Sequence, residues 1–328
     1  MRKEILLLLI KRIFNSAVIL LLMITFLFFL LRVSPGDPSL KFVSPDLNPH
    51  LASLIKDSFG LNSSLFDQYK NFLFNLLKGN FGISYTYQIP VVKVISEYLP
   101  FTLIFAFSSF IIQITFAFLF AFISFRNADG KIDKSISQLS LVVYAMPSFV
   151  IGVFLIFIFS ELLNIFPSSG LMSLGSSNLS LLSKFGDYAS HMVLPLLTLS
   201  IPGIAEFYKY LRDNFEEVSN KPFVENLRAH GFRESDITWK HIIPNAVNPL
   251  ISVAGVELGL LFGGALITEV IFALPGMGRL TVNAIFSRDY PLIIGCTFVS
   301  GVLIILTNLL ADIVKSTLDK RVIKEILN

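Results

Sequence analysis

Residues 101–125 read FTLIFAFSSFIIQITFAFLFAFISF and carry no charged side chain. A helix that crosses a bilayer needs about 20 predominantly apolar residues, and this stretch is long enough. Gln113 is its main polar interruption. Because lipid offers no hydrogen bonds to the backbone, a segment of this kind is predicted to cross the membrane as an α-helix.

Five further stretches are similarly apolar. They are residues 13–31, 135–160, 189–205, 245–273 and 291–311. Pro195 and Pro202 interrupt the fourth predicted span along the chain, and the fifth contains Glu257 and Glu269. The sequence therefore predicts an all-α integral membrane protein with six transmembrane helices.

The overall composition agrees with burial in lipid. The chain has 328 residues, of which 54% are hydrophobic and 15% charged, whereas soluble domains have about 25% charged residues. A net charge of only +3 gives no indication of nucleic-acid binding. Cys296 is the only cysteine, which excludes an internal disulfide and a cysteine-based metal cluster. We predict no catalytic residues and no metal site.

The distribution of Lys and Arg predicts the orientation. With the N-terminus inside, the cytoplasmic segments hold 17 of these residues and the two short outside loops hold three. Cytoplasmic loops carry the excess of positive charge, so both termini are expected inside. The first apolar stretch has a basic start but no small-residue cleavage site after it, and we interpret it as an uncleaved anchor.

The large outside element is residues 32–99. Within it, residues 65–77 have apolar positions at helical spacing, and Gly79 is placed to end that helix. We divide the chain into residues 1–99, an N-terminal transmembrane helix plus a periplasmic loop, and residues 100–328, a five-helix core with its main cytoplasmic loop at 210–244.

That cytoplasmic loop is rich in charge and predicts two short helices. Pro222 suits a first helical turn, so residues 223–230 are expected to be helical. Gly231 follows at a position where helices end in a left-handed conformation.

The second short helix is predicted over residues 237–243. Ser235 and Asp236 are expected to cap its start, and Pro244 is expected to end or kink it where the fifth span begins.

The loop and its flanks resemble a known family. ENLRAHG at 225–231 and WKHIIPN at 239–245 resemble the "EAA" coupling loop of ATP-binding-cassette (ABC) importer permeases. Six other motifs resemble the dipeptide/oligopeptide/nickel branch: LRVSPGDP at 31–38, GNFGIS at 79–84, FPSSG at 166–170, GVELG at 255–259, EVIFALPGMGR at 269–279 and SRDYP at 287–291. Leu227 and His230 depart from the residues usual in the coupling loop.

The resemblance covers essentially the whole chain and implies the type I importer permease fold. It implies a permease subunit that carries di- or oligopeptides across the bacterial inner (cytoplasmic) membrane, with a second permease, two ATPase subunits and a periplasmic or lipid-anchored binding protein. The chain has no Gly-x-x-x-x-Gly-Lys-Ser/Thr phosphate loop. ATP and Mg²⁺ are therefore expected on the partner ATPase subunits, with no cofactor on this chain.

The coupling function is mechanical: the short helices would sit on the ATPase and pass its closure to the adjacent spans. The residues predicted to take part are Glu225, Leu227, Arg228, Ala229, His230, Gly231, Ile237 and His241. The alternative is an ordinary solvated basic loop.

Gly255, Gly259 and Gly263 recur at a spacing of four residues, which lets helices approach closely in a bilayer. We predict packing against the second permease. Packing within the chain is the alternative.

Ionisable residues within a membrane are functional candidates by default. We assign Glu257, with Gln113, to the translocation path, and expect Glu257 to contact the amino end of a peptide. A protonated or paired structural Glu257 is the alternative, and Glu206 is expected to be structural. Glu269, Pro275 and Gly276 are predicted to form an outer gate or docking loop.

Other functions were weighed against this one. A nickel or other small-solute ABC permease would share all these motifs. A gradient-driven secondary transporter or channel would leave the 210–244 loop without a purpose. An intramembrane enzyme would need a nucleophile–base or metal-ligand set at membrane depth, and the predicted spans carry no such set.

Overall fold

A computed structural model describes residues 2–33, 64–176, 180–263 and 265–318 of the chain, and these residues are mostly helical. The α-helices are α1 (Arg2–Val33), α2 (Leu65–Leu77), α3 (Val91–Arg126), α4 (Lys131–Ala145), α5 (Ser148–Leu155), α6 (Leu181–Ser219), α7 (Pro222–Ala229), α8 (Glu234–Ile237), α9 (Ile243–Val247), α10 (Leu250–Phe262), α11 (Leu266–Ile271), α12 (Met277–Phe286) and α13 (Tyr290–Leu318). Two π-helical stretches, Ile156–Leu162 and Thr238–Ile242, follow α5 and α8.

Within the described residues, five segments are long and apolar enough to cross a membrane. They are Ile10–Val33, Val91–Arg126, Leu181–Ser219, Leu250–Ile271 and Tyr290–Lys315. The predicted third span is broken: Lys131–Ala145 and Ser148–Leu162 meet at an angle of 105°. Pro147 is the N-cap residue of the second half, and a proline disfavours a helical residue before it.

Helix α6 is much longer than the predicted fourth span. It contains 39 residues with Pro195 and Pro202 inside it, and continues to Ser219. At 1.5 Å per residue it is about 58 Å long, roughly twice the thickness of a bilayer's hydrocarbon core. The first ten residues of the predicted loop at 210–244 are therefore the end of this helix rather than irregular chain.

Helices α3 and α6 form the central pair. Ala117 and Ala121 on α3 are fully buried against a cluster that includes Phe207, Leu211 and Phe215 of α6. Small side chains on one helix allow the aromatic residues of the other to pack closely. Between the same helices, the Ser109 and Ser200 hydroxyl oxygens lie 2.9 Å apart.

The helix ends on the side that the sequence predicts to face outside, called the outer ends below, are tied together by the segment before α3. Helix α3 begins at Val91 and runs through the predicted boundary at 99/100 without a break. Val91 and Val94 are buried with Leu280 of α12 and Leu292 of α13. The start of α3 thus packs with the predicted core.

The predicted amphipathic helix is confirmed as α2, with Ser64 as its N-cap and Gly79 in a left-handed conformation at φ +71° just beyond its end. One face lies on α1: the Phe72 ring stacks on Phe28 at 4.9 Å, and the Tyr69 hydroxyl lies 2.8 Å from Thr25 Oγ1. Residues 34–38 of the LRVSPGDP motif lie outside the described residues.

Candidate functional site

The loop at 210–244, which the sequence predicts to be cytoplasmic, folds as two short helices around Gly231, and its side of the molecule is called the inner end below. Helix α7 ends at Ala229, and Gly231 has φ +76°, as predicted. A Cβ at this glycine would meet nothing within 4 Å, so the tight turn, and not crowding, requires glycine.

The start of the second short helix differs from the prediction. Arg233 is its N-cap residue and makes no side-chain capping bond, whereas Ser235 lies within α8. Asp236 instead pairs with Lys240 at 2.7 Å. The Lys240 ammonium that bonds to Asp236 holds the pKa of this carboxyl below its usual range. The predicted capping role of Ser235 and Asp236 is therefore wrong, because the helix starts earlier.

The inner face of this loop is bound to the membrane helices by apolar contacts. Val224, Ile237 and Ile242 are fully buried against a cluster that includes Leu211 and Phe215 of α6. Leu227 packs on the edge of the same cluster. Because burial of each such side chain is worth about 1.5–3 kcal/mol, α7 and α8 must move together with the inner end of α6.

The outer surface of the loop is exposed and partly aromatic. Of the residues predicted to contact an ATPase, Leu227 and His241 are half-buried and Ile237 is fully buried, while the others are exposed: Glu225, Arg228, Ala229, His230 and Gly231. Phe232 and Trp239 are 52% and 55% exposed, and the Trp239 ring lies 5.3 Å from that of Phe122. These two aromatic residues are not among those predicted from the sequence to contact an ATPase, although large exposed apolar side chains in a polar loop are a recognisable sign of a contact surface.

Next to this loop, a polar network fixes the turn between α3 and α4 to α6. Arg212 donates to both Asp133 carboxylate oxygens, at 3.2 and 2.9 Å, and also pairs with Glu216. Ser124 donates to Asp133 and lies 2.9 Å from the Tyr208 hydroxyl. Asp133 of α4 is therefore held by side chains from two other helices, α3 and α6.

At the opposite, outer end, Glu269 lies fully buried under the first turn of α12. Its carboxylate accepts from Thr102 Oγ1 at 2.9 Å and from the Arg279 N–H at 3.0 Å. The Met277 N–H donates to Thr102 Oγ1 at 2.7 Å. A carboxylate here satisfies the free N–H groups of a helix start and complements its dipole.

Two glycines of this segment, Gly276 and Gly278, leave the space that the Glu269 carboxylate occupies. A Cβ at Gly276 would collide with the Glu269 carboxylate itself, and one at Gly278 would lie 2.9 Å from its Oε2. Pro275 precedes them at the turn into α12. The three residues predicted to form an outer gate or docking loop, Glu269, Pro275 and Gly276, thus build one rigid corner of the outer face.

A second buried carboxylate joins two motifs far apart in sequence. Asp289 is fully buried and accepts from Ser84 Oγ at 2.5 Å and from the Thr86 N–H at 2.9 Å. Its other oxygen accepts from the Leu292 N–H at 3.3 Å, in the first turn of α13. The GNFGIS and SRDYP motifs therefore meet at one place on the outer face.

Two glycines of the predicted stripe pack within the chain. A Cβ at Gly259 would lie 2.5 Å from Thr307 Oγ1 and 3.1 Å from Ile304 Cα, and one at Gly255 would collide with Ala311, all on α13. Gly255 and Gly259 therefore pack against α13 of the same chain, which is the alternative to packing against a second permease. The sides of α10 that are open to a second permease carry Val256 and Leu260 instead, which are 47% and 57% exposed.

Gln113 is fully buried between α3 and α6. Its amide nitrogen donates to the Leu199 carbonyl and to Ser109 Oγ, both at 3.2 Å. A Cβ at Gly203 would collide with this side chain, so the glycine makes room for it. In this conformation Gln113 has no contact with solvent, and its assignment to the translocation path stays a prediction.

Glu257 is half-buried on α10, and the carboxylate of Glu206 on α6 is close enough to interact with it electrostatically. Glu206 also lines an open cleft of about 390 Å³ with Lys209 and Asp213. The structure thus brings together one residue predicted to line a path and one predicted to be structural. Over the residues that the structure describes, no cluster of three or more His, Cys, Asp or Glu side chains could hold a metal ion.

The overall arrangement resembles a solved importer. The chain aligns with a subunit of "Inward facing conformations of the MetNI methionine ABC transporter", with a TM-score of 0.51, at 15% identity, over 72% of this chain and 97% of that one. At this identity the likeness shows the fold alone, which is that of an ABC transporter permease.

Named relatives match over nearly the whole chain. The oligopeptide transport system permease protein AppB of Bacillus subtilis is 32% identical over 95% of this chain and 98% of its own length. The probable peptide ABC transporter permease protein y4tP of Sinorhizobium fredii is 30% identical, over 95% and 97%. The nickel import system permease protein NikB of Staphylococcus aureus is also 30% identical, over 94% and 90%.

Two family descriptions divide the sequence between them. Residues 5–106 match the N-terminal part of the binding-protein-dependent transport system membrane component, and residues 113–324 match the binding-protein-dependent transport system inner membrane component. The second match alone covers more than half of the chain. This protein therefore belongs to the binding-protein-dependent transport system inner membrane components, the multi-pass permease subunits of ABC importers.

Proposed function

We propose that this permease imports peptides across the bacterial inner membrane, with six spans and both termini in the cytoplasm. The bent pair formed by α4 and α5 with its π-helical continuation then counts as one span. Energy comes from ATP and Mg²⁺ on two separate ATPase subunits, and solute is delivered by a periplasmic or lipid-anchored binding protein. A second permease, encoded by a different chain, completes the path in the lipid.

The observation that carries this proposal is the two-sided cytoplasmic loop. Its inner face is bound to α6 by fully buried Val224, Ile237 and Ile242, whereas its outer face presents Phe232 and Trp239 to solvent. A loop that is firmly packed against a membrane helix and apolar on its free side can transmit the movement of a docked protein to that helix. An ordinary solvated loop would need neither property.

Peptides are the proposed solute because AppB and y4tP, whose names include oligopeptide and peptide transport, match over 95% of the chain. Nickel is the second candidate, since NikB matches almost as well. ATP-dependent uptake into proteoliposomes that contain the complete importer separates the two. Uptake of alanine peptides of two to five residues supports the proposal, and uptake of radioactive nickel without peptide uptake overturns it.

The ATPase partner is tested with a single cysteine at Ala229, which is exposed on α7, after replacing Cys296 with serine. We expect a cross-link to the co-expressed ATPase subunit whose yield changes with ATP. A cysteine at Leu174, exposed in the loop before α6, is the control and must give no such cross-link. If Ala229→Cys captures no ATPase from folded protein, the ATP-driven mechanism is wrong.

The mechanical role is tested at Gly231. Its left-handed φ makes any larger residue unfavourable by about 1 kcal/mol, and the open space beside it directs a bulky side chain outward. We expect Gly231→Trp to abolish uptake while the protein still inserts. Gly175, with φ +87° and open space in an outer loop, gives the matched control Gly175→Trp, which must keep its uptake. Normal uptake by Gly231→Trp contradicts coupling through this turn.

A further inference from the structure

A cleft of about 320 Å³ opens at the inner end of the molecule where α1, α10 and α13 meet, and we call it the α1–α13 cleft. All three helices contribute to its polar lining, which consists of Arg12, Ser16, Ser252, Asn308, Asp312 and Lys315. Small-molecule sites have volumes of about 300–1,000 Å³, so the cleft is large enough for a phosphate group and its immediate substituents.

The α1–α13 cleft lies at the depth where two apolar spans end. Arg12 directly precedes the apolar stretch 13–31, and Asp312 directly follows the stretch 291–311. These two side chains form an ion pair, with Arg12 Nε 3.4 Å from Asp312 Oδ2, so both span ends lie at one level. Charged residues at the ends of transmembrane helices lie at the boundary between hydrocarbon and headgroups. The cleft therefore faces the headgroup layer of the bilayer.

The charged groups of the cleft leave it net positive, because Arg12 and Lys315 stand against a single carboxylate, Asp312. The Asp312 side chain is only 16% exposed, whereas that of Arg12 is 47% exposed. Within the described part of the chain, the ion pair uses the Arg12 Nε, and no other ion pair or hydrogen bond engages the terminal guanidinium nitrogens or the Lys315 ammonium. Guanidinium and ammonium groups of this kind are the usual ligands of phosphate.

Uncharged polar groups continue from these cations toward the hydrocarbon. Ser16, Ser252 and Asn308 are half-buried, and their side chains make no hydrogen bond to any other residue that the structure describes. Asn308 precedes Lys315 by seven residues, which is about 10 Å along α13. A polar group at this depth is unfavourable unless it is hydrogen-bonded. The cleft thus offers cations at its mouth and unpaired hydroxyl and amide groups farther in.

We propose that the α1–α13 cleft binds the headgroup of an anionic phospholipid. The phosphate lies between Arg12 and Lys315, and the ester carbonyl oxygens of the glycerol accept hydrogen bonds from the deeper hydroxyl and amide groups. The acyl chains run along the exposed apolar side chains Val256 and Leu306, which are 47% and 49% exposed. A zwitterionic lipid would bring its own ammonium group against two cations, so the net positive cleft favours a lipid of net negative charge.

This inference goes beyond the proposed function and does not depend on the transported solute, since a peptide and a nickel importer lie in the same membrane. Two other occupants compete for the cleft. Free phosphate offers the same anion without acyl chains, and the second permease could cover the side of α10 that carries Val256. The experiment separates both from a lipid.

The test uses the complete importer in vesicles of phosphatidylethanolamine and phosphatidylglycerol. A diazirine near the start of one acyl chain is placed in phosphatidylglycerol in one preparation and in phosphatidylethanolamine in the other, at equal mole fraction. After illumination and digestion with pepsin, mass spectrometry measures the labelled fraction of peptides from residues 305–315. We expect about five-fold more labelling by phosphatidylglycerol, the equivalent of about 1 kcal/mol for one net basic charge.

Variants in the same vesicles test the assigned charges. The double variant Arg12→Gln/Lys315→Gln should label equally with both lipids. Arg126→Gln/Lys131→Gln is the matched control, because it removes the same two charges from exposed positions outside the cleft, and it must keep the preference. Asp312→Asn removes the carboxylate that competes for Arg12, so labelling by phosphatidylglycerol should rise, whereas a merely misfolded protein would lose it.

Each of the other outcomes overturns the proposal. Equal labelling of the wild type by both lipids, or a preference that survives the double variant, means that the cleft does not recognise an anionic headgroup. If neither lipid labels these peptides in the complete importer, the second permease covers the cleft. If inorganic phosphate at millimolar concentration abolishes labelling by phosphatidylglycerol, the occupant is the free anion rather than a lipid.

Discussion

The outer and inner ends of this permease are stabilised by different kinds of contact. At the outer end, two fully buried carboxylates, Glu269 and Asp289, cap helix starts and join distant segments. At the inner end, an apolar cluster fixes the loop that is predicted to couple to an ATPase to α6, and the carboxylate network around Asp133 is partly open to solvent. The outer corners are therefore expected to be rigid, whereas the inner end combines a rigid attachment with a surface free for partners.

The strongest test of the rigid outer end is Glu269→Ala. The Arg279 N–H and the Thr102 hydroxyl would be left buried without an acceptor, and each such group costs about 1–3 kcal/mol. We expect the purified protein to lose at least about 3 kcal/mol of stability, measured as the thermal unfolding midpoint in detergent. Glu161→Ala, at an exposed position, is the control. A midpoint equal to that of the control would show that the buried carboxylate does not stabilise this corner.

Asp289→Ala tests the second corner. We expect it to lower the stability by about 2 kcal/mol, somewhat less than Glu269→Ala, because the Leu292 N–H forms only a weak hydrogen bond to Asp289, at 3.3 Å. Release of Ser84 and Thr86 should also expose the segment before α3 to protease added from outside. Glu97→Ala, on the exposed side of α3, is the matched variant. Unchanged proteolysis would mean that this segment is bound mainly by its apolar contacts.

The corresponding change at the inner end is Asp133→Ala. It removes the acceptor of Ser124 and leaves Arg212 with Glu216 as its ionic partner. Arg212 is partly exposed, so water can replace the lost contact, and we expect a cost of about 1–2 kcal/mol. Thermal unfolding of this variant beside Glu269→Ala compares the two ends directly. A larger loss for Asp133→Ala than for Glu269→Ala would reverse the comparison.

The smallest effect on stability is expected for Trp239→Ala. Its ring is 55% exposed and touches Phe122 at the surface, so the unfolding midpoint should shift by less than the equivalent of about 1 kcal/mol. Binding of the ATPase should weaken about ten-fold, which corresponds to about 1.4 kcal/mol. Affinity and unfolding measured on the same preparation separate these effects. Unchanged affinity would remove Trp239 from the docking surface.

Much of the fold followed from local sequence patterns. The apolar stretches at 13–31, 101–125 and 291–311 lie within helices, since hydrophobic length is a local property. Gly231 and Gly79 were identified because helix ends have their own residue signals, and the structure gives both a positive φ. The bend at Pro147 was not predicted, because a proline within an apolar stretch is compatible with a kinked span as well as a sharp turn.

The site residues were predicted less well, because most of their partners are distant in sequence. Glu269 and Glu257 are both glutamates in one apolar stretch, and nothing local distinguishes them. Thr102, 167 positions away, makes Glu269 a fixed structural acceptor. The burial of Gln113 likewise depends on a residue distant in sequence, because Gly203 of α6 leaves the space that the Gln113 side chain occupies.

The sequence by itself determined that this is a multi-spanning α-helical protein with two short helices in the loop at 210–244, because hydropathy, proline and glycine act over a single turn or span. The resemblance of its motifs to those of ABC importer permeases indicated the family. Only the tertiary structure decided which charged groups are neutralised and which remain free. Asp289 meets Ser84 across 205 positions, while Glu206 and Lys209 meet no such partner among the residues described. The physical reason is that a buried charge is stable only with partners, and the fold alone determines where those partners lie.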